Sequence, residues 1–195
     1  MSYILFTGAP GSKWSGVARD IYKSKDIDQS DYKRNRVYKN KKVKHVGSYF
    51  DPGMEFGPQR EEWDKPFSGK GKRIIKSHTF SYDLDNLSDY GYPIVFVHRP
   101  DYECYKWWQQ AGGFDIKYPN YKWYKDSFLE GLECMWWHIQ EQNREIMDFI
   151  RNNEKNITTL EDNFDLLEIL KISEPEDFSY RLYSNEDIKV YVWLK

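Results

Sequence analysis

Tyr3-Ile-Leu-Phe-Thr-Gly-Ala-Pro-Gly-Ser-Lys-Trp-Ser-Gly-Val-Ala18 is the stretch whose reading decides the fold. Tyr3 to Phe6 is a short apolar run, the pattern of a strand buried on both faces in a parallel sheet. A turn follows, holding Gly8, Pro10 and Gly11, and the segment from Ser12 to Tyr22 can run as a helix. Strand, glycine turn and helix in that order make a cradle for an anion. Small residues let backbone N–H groups approach a phosphate, and the free N–H groups of the first helical turn point toward it. Ser12 and Ser15 add hydroxyl donors.

The turn departs from the G-x-x-x-x-G-K-[ST] phosphate loop. Aligned from Gly8, it puts Lys13 on the second glycine, Trp14 on the lysine and Ser15 on the hydroxyl position. The plain alternative is an ordinary strand-to-helix turn with a surface lysine. The strand–turn–helix context at the start of the chain favours phosphate.

A chain of 195 residues suits one domain with a full core, with loop-rich insertions at about 23–72 and 112–125. A net charge of −2 gives no global pull toward nucleic acid or anionic lipid. The charge is uneven, however. Residues 19–46 carry ten Lys/Arg against four Asp/Glu, and residues 161–195 carry nine Asp/Glu against four Lys/Arg. The basic block reads first as a solvated face; the alternative is a patch that draws in an anionic ligand. Two cysteines, Cys104 and Cys134, are too few for a disulfide framework, so a cytoplasmic setting is expected. No apolar run is long enough to span a membrane, and no basic-then-apolar leader opens the chain.

The lysine-rich residues 23–46 read as a surface excursion with a short strand at Val43–Val46. The Pro/Gly-dense residues 50–72 read as a long loop with a short helix near Gln59–Asp64. Arg73-Ile-Ile-Lys76 is a second strand, and Tyr82 to Tyr90 a short helix. Pro93-Ile-Val-Phe-Val97 is a third strand rich in β-branched residues. Asp101 caps a helix that runs to about Ala111 and stops at Gly112-Gly113. Residues 114–125 form an aromatic loop. Asp126 to Asn152 is the longest helix, with the stripe Phe128, Leu132, Met135, Trp136, Ile139, Ile146, Phe149 and Ile150. Asn156-Ile-Thr-Thr-Leu160 is a fourth strand, Asp162 caps another helix, and Ile188 to Leu194 is a last strand. Strands alternating with helices predict a three-layer α/β sandwich with a mainly parallel central sheet.

Ligands of such sheets bind beyond the carboxyl ends of the strands. Three of those ends carry Gly8–Ser15, Lys76-Ser-His78 and His98-Arg99, so a phosphate loop, a Lys/His pair and an arginine are expected at one edge. A lone histidine is more often structural, and Arg99 before Pro-Asp also fits a helix-capping ion pair. Together, however, they suit transfer of an anionic group to a hydroxyl. An imidazole of unperturbed pKa about 6.5 takes the hydroxyl proton, and lysine and arginine neutralise charge growing on oxygen.

Arg73-Ile-Ile-Lys-Ser-His78 resembles the R-I-I-K-T-H segment of the sulfotransferases that use 3′-phosphoadenosine 5′-phosphosulfate (PAPS). Thr7-Gly-Ala-Pro-Gly-Ser-Lys-Trp-Ser15 is similar to that family's 5′-phosphosulfate loop, T-x-P-K-S-G-T-T-W, with Pro10 on its proline. Val95-Phe-Val-His-Arg-Pro-Asp101 resembles the 3′-phosphate segment, and Thr159-Leu-Glu-Asp162 the Y-E-D stretch. The resemblance implies a P-loop-like sulfotransferase fold, PAPS as co-substrate and no metal. It implies His78 as general base, with Lys76 and Lys13 on the sulfuryl and leaving phosphate oxygens. Gly8, Pro10, Gly11, Ser12, Lys13, Trp14 and Ser15 are the expected 5′-phosphosulfate loop, and Arg99 the expected 3′-phosphate ligand. Gly11 stands where the family has its loop lysine, with Lys13 two residues later. Tyr105, Lys106 and Trp107 stand where the family has a serine, so Lys106 or Tyr105 is the expected substitute. The family's late R-K-G loop is not visible.

Two other classes fit the same residues. A P-loop small-molecule kinase requires a lysine at Trp14 and an acidic magnesium partner, for which Asp101 is the one obvious residue. A non-catalytic binding module keeps the fold without the donor site. The acceptor is expected to be a small-molecule or carbohydrate hydroxyl, with no nucleic-acid partner. Trp107, Trp108, Trp123, Trp136 and Trp137 offer faces to a ring, though Trp136 lies on the core stripe. The loops at 47–72 and 112–125 are the expected acceptor wall, with Tyr49, Phe50, Met54, Phe56 and Phe114 as its apolar contacts.

Overall fold

A computed structural model describes residues 2–31, 56–57, 59–110 and 131–195. Five strands form one sheet in the order β2-β1-β3-β5-β4. They are β1 (Tyr3–Thr7), β2 (Arg73–Lys76), β3 (Ile94–His98), β4 (Ile157–Leu160) and β5 (Lys189–Trp193). β1 pairs in parallel with β2 and β3, in the register Phe6 to Lys76 and Thr7 to Phe96. β5 is antiparallel to both β3 and β4. Four strands therefore point one way and one returns, a mixed α/β sheet with a parallel centre.

The buried runs read from sequence explain this arrangement. All five residues of β1 are buried, and alternate ones feed opposite layers. Ile4 and Phe6 pack on α1 (Trp14–Tyr22) and α5 (Asn163–Leu170) through Val17, Ile21, Leu166 and Leu167. Tyr3 and Leu5 face the other side, where α2 (Leu84–Asp89) and α4 (Gly131–Asn152) supply Leu87, Ile146 and Phe149. Each buried aliphatic of this kind contributes about 1.5–3 kcal/mol. β2 and β3 lie on opposite sides of β1, and the helices that follow β1 and β2, α1 and α2, pack on opposite faces of the sheet. The crevice of an open α/β sheet lies where such connections diverge, here at the carboxyl end of β1.

Several boundaries differ from the sequence reading. α1 opens at Trp14 rather than Ser12, because Lys13 is in the left-handed conformation with φ 68°. The helix expected over Tyr82 to Tyr90 is the shorter α2, and a 3₁₀ turn over His78–Tyr82 precedes it. The short helix near Gln59–Asp64 is a 3₁₀ turn over Arg60–Glu62. α3 (Asp101–Gln110) begins at Asp101 itself. The Asp101 carboxylate, expected as a cap, instead accepts from Asn143 Nδ2 at 2.6 Å. Asp162 does cap α5, accepting from Phe164 N at 2.9 Å and Asp165 N at 3.0 Å. The expected strand at Val43–Val46, the aromatic loop 114–125, the Gly112-Gly113 stop and the first residues of the Asp126–Asn152 helix lie outside the described residues. So do Tyr49, Phe50, Met54, Phe114 and Trp123. No helix among the described residues is long and apolar enough to cross a membrane.

Candidate functional site

The loop between β1 and α1 is tightly built. Gly8 to Ser12 are all buried. A Cβ on Gly8 would meet Ser12 Oγ at 2.4 Å and the Val97 carbonyl at 2.6 Å, so only glycine fits between the loop and β3. Gly11 has φ 87°, and a Cβ there would lie 2.4 Å from the Cys104 carbonyl of α3. The loop is thus pressed between the end of β3 and the first turns of α3.

Two cations clasp this loop from neighbouring strand ends. Lys76, the last residue of β2 and 2% exposed, donates from Nζ to Ser15 Oγ at 3.0 Å. Its ammonium also lies 5.3 Å from the centre of the Trp14 ring, a cation–π contact that holds the charge over the indole face. Arg99, just beyond β3, donates from Nη1 to the Gly11 carbonyl at 3.3 Å and to the Glu103 carbonyl at the same distance. Lys76 and Arg99 therefore meet the first turn of α1 and the loop before it, both at the carboxyl end of β1.

Lys13 points elsewhere. Its ammonium pairs with Glu186 Oε2 at 2.8 Å, and Glu186 also meets Arg181 Nε at 3.2 Å. Burial raises the Glu186 pKa, but the bond from Lys13 and the charge of Arg181 outweigh it and hold the carboxyl below its usual range. Trp14 is 8% exposed and belongs to the core layer under α1. Pro10 is buried within the turn. Lys106 pairs with Glu103 Oε2 at 2.6 Å on the surface of α3, and Glu103 in turn lies 3.9 Å from Arg99 Nη2.

His78 opens the 3₁₀ turn after β2 and is 5% exposed. Its Nδ1 lies 2.9 Å from Gln142 Nε2 on α4. Asn143, the next residue, donates to the Arg99 carbonyl at 2.9 Å. One turn of α4 therefore ties the imidazole after β2 to the arginine after β3. His138, one turn earlier, faces Tyr82 OH through Nδ1 at 3.3 Å. Its pKa is pushed down to about 4, first by burial and then by the proximity of His78. The Cys104 thiol beneath the loop is pushed up to about 12 by burial, so it is inert as a nucleophile.

Gln142, Asn143 and Glu186 were not among the residues singled out from the sequence. A signal for the first two was present. The apolar stripe of α4 jumps from Ile139 to Ile146, and the missing step at 142 and 143 is polar. Glu186 carried no such mark. Of the aromatic residues considered for an acceptor, Trp136 meets Tyr105 edge-on at 5.3 Å, bridging α4 and α3.

The loop retains unspent hydrogen-bonding capacity. Ser12 Oγ and Arg99 Nε are buried with no partner among the described residues. A buried polar atom left unpaired costs about 1–3 kcal/mol, and each of these two is able to donate to an oxygen acceptor. A phosphate fits this donor set of hydroxyl, guanidinium and ammonium.

Fold and site together define an α/β protein whose strand–turn–helix loop is clasped by a buried lysine and a buried arginine, with a buried imidazole two residues beyond the lysine. Set against known proteins, the chain matches no family model, no curated protein and no solved structure.

Proposed function

We propose that the chain is a sulfotransferase that moves a sulfuryl group from PAPS to a hydroxyl acceptor. The observation that carries this reading is the convergence of Lys76 on Ser15 and Arg99 on Gly11 at the carboxyl end of β1. The donor supplies an activated sulfuryl group on a phosphate leaving group. Ser12 and Ser15 hold the 5′-phosphate, with Lys76 close enough to neutralise charge as it grows on the leaving oxygen. Arg99 keeps the loop in shape through Gly11 and offers Nε to a donor phosphate. His78 takes the acceptor's hydroxyl proton. Lys13 reaches the donor only by giving up Glu186. The fold on this reading is the P-loop-like one of the resembled family, and the compartment the cytoplasm.

A second reading, a non-catalytic module that kept the fold, is favoured by the burial of Gly8 to Ser12 and by the pairing of Lys13 with Glu186. The kinase reading is weakened because Trp14, at the lysine position, is a core residue.

Calorimetry with adenosine 3′,5′-bisphosphate, and separately with ATP plus magnesium, tests the three. Binding of the bisphosphate without magnesium supports the sulfotransferase, and binding of ATP only with magnesium supports a kinase. Binding of neither leaves the non-catalytic module.

A further inference from the structure

Gln142 occupies a polar break in the apolar stripe of the 22-residue α4. It is 0% exposed, and its amide nitrogen lies 2.9 Å from His78 Nδ1. Its carbonyl oxygen, also buried, has no hydrogen-bond partner among the described residues. The neighbouring Asn143 is pinned to the Arg99 carbonyl and to Asp101 Oδ1, so this turn of α4 cannot slide relative to the strand ends.

A neutral imidazole carries one proton, and a glutamine amide can meet Nδ1 in two ways. If the amide nitrogen donates, the ring proton sits on Nε2. If the carbonyl oxygen accepts, the proton sits on Nδ1 and Nε2 keeps its lone pair. A half-turn of the amide exchanges the two without moving the ring; it gives the oxygen the Nδ1–H donor and puts the amide NH2 in the place the oxygen left.

We propose that Gln142 is the positioning residue of His78, its carbonyl oxygen accepting from Nδ1–H so that Nε2 is the nitrogen that takes the acceptor's proton. This rests on the sulfuryl-transfer reading. The acceptor O–H bond breaks and its proton goes to Nε2. The hydroxyl oxygen's electron pair forms the new O–S bond. The bond between sulfur and the donor's phosphate oxygen breaks, with its pair staying on the departing bisphosphate. The resulting imidazolium still donates through Nδ1–H to Gln142. His138, on the same face of α4 one turn away, is held neutral by burial and so does not compete for the proton.

The test is the histidine tautomer, read by long-range ¹H–¹⁵N spectra of the full chain with ¹⁵N-labelled histidine at neutral pH. The His78 signals are assigned by their loss in His78→Asn. The wild-type chain is expected to show the Nδ1–H form at His78. Gln142→Leu is expected to shift the ring to the Nε2–H form, which a free imidazole favours. Gln142→Glu keeps an oxygen acceptor and is expected to restore Nδ1–H. An Nε2–H ring in the wild-type chain overturns the proposal, and that spectrum needs no variant to fold. So does an unchanged tautomer in a folded Gln142→Leu. Titration with adenosine 3′,5′-bisphosphate is scored separately. Failure of the donor to bind sinks the transfer reading while the tautomer result stands by itself.

Discussion

Lys76 Nζ donates to Ser15 Oγ at 3.0 Å, which ties the last residue of β2 to the first turn of α1. The ammonium is therefore fixed at the loop before any ligand arrives. Lys76→Met keeps the stem packed beside Trp14 and deletes the charge. The expected loss in affinity for adenosine 3′,5′-bisphosphate is about 1.5–3 kcal/mol, the range for a hydrogen bond to a charged group. Unfolding free energy is expected to change by less than about 1.5 kcal/mol, as for a volume-conserving swap. Calorimetry and urea unfolding on the same variant check both. An unchanged affinity would reduce Lys76 to a clamp on α1.

Gly11→Ala is expected to destabilise the fold by about 2–4 kcal/mol, combining a strained φ with a clash against backbone. The clash is with the Cys104 carbonyl, which is part of α3 and cannot rotate away. Gly16→Ala is the internal control. Its Cβ would sit 3.6 Å from Arg181 Nη1, an ordinary contact, in the first turn of α1. That change is expected to stabilise by about 0.5–1 kcal/mol. Urea midpoints of the two variants moving in the same direction would refute the account of the loop.

Most of this architecture was legible in the sequence because parallel strands buried on both faces read as plain apolar runs. Tyr3–Phe6, Arg73–Lys76 and Pro93–Val97 each became a strand of the parallel half of the sheet, within one residue of the expected ends, with Arg73–Lys76 at its edge. The carboxyl-end rule then placed Lys76 and Arg99 at the loop. What sequence could not supply was the direction of each side chain. Lys13 stands close behind Gly11 in the expected phosphate loop, yet its backbone is left-handed and its ammonium meets Glu186, a residue 173 positions away. Asp101 looked like a helix cap and became the acceptor for Asn143, because a long-range partner outcompeted a local one. Gln142 was visible only as a gap in a stripe, and a gap does not say which strand end it faces.

The Lys13–Glu186 pair gives a prediction of opposite sign. Both side chains are more than a quarter exposed, at 29% and 27%, so the pair itself contributes at most about 1 kcal/mol to stability. Glu186→Gln releases the Lys13 ammonium and removes a negative charge near the loop. If Lys13 is to serve the donor, affinity for adenosine 3′,5′-bisphosphate is expected to rise by roughly two- to fivefold, with little change in unfolding. The gain should shrink at high salt, because the charges are partly solvated. No gain at low salt would assign Lys13 to holding the C-terminal segment against α1 and remove it from the donor site.

Two buried groups with large shifts act on the pH dependence of stability in opposite directions. Asp20 is raised from 3.8 to about 6 by burial, with Arg181 lowering it and Glu186 raising it. Its folded pKa lies above its unfolded one, so its contribution is full below about pH 3.8 and is lost as pH rises through about 6. His138 is lowered from 6.5 to about 4, again first by burial. Its contribution is full above about pH 6.5 and is lost as pH falls through about 4. Each shift of two units or a little more corresponds to about 3 kcal/mol. Between pH 4 and 6 these two slopes nearly cancel, and His98, also held below its ordinary value by burial, adds a rise with pH, so unfolding free energy is expected to climb only gently there in the wild-type chain. Asp20→Asn removes the falling term and should make stability climb more steeply with pH across that window. His138→Gln removes the larger rising term and should make it decline. Urea midpoints at half-unit steps through the window check this. An Asp20→Asn profile parallel to wild type would show that the carboxyl beside Arg181 is not raised, and that Arg181 neutralises it more fully than its burial opposes.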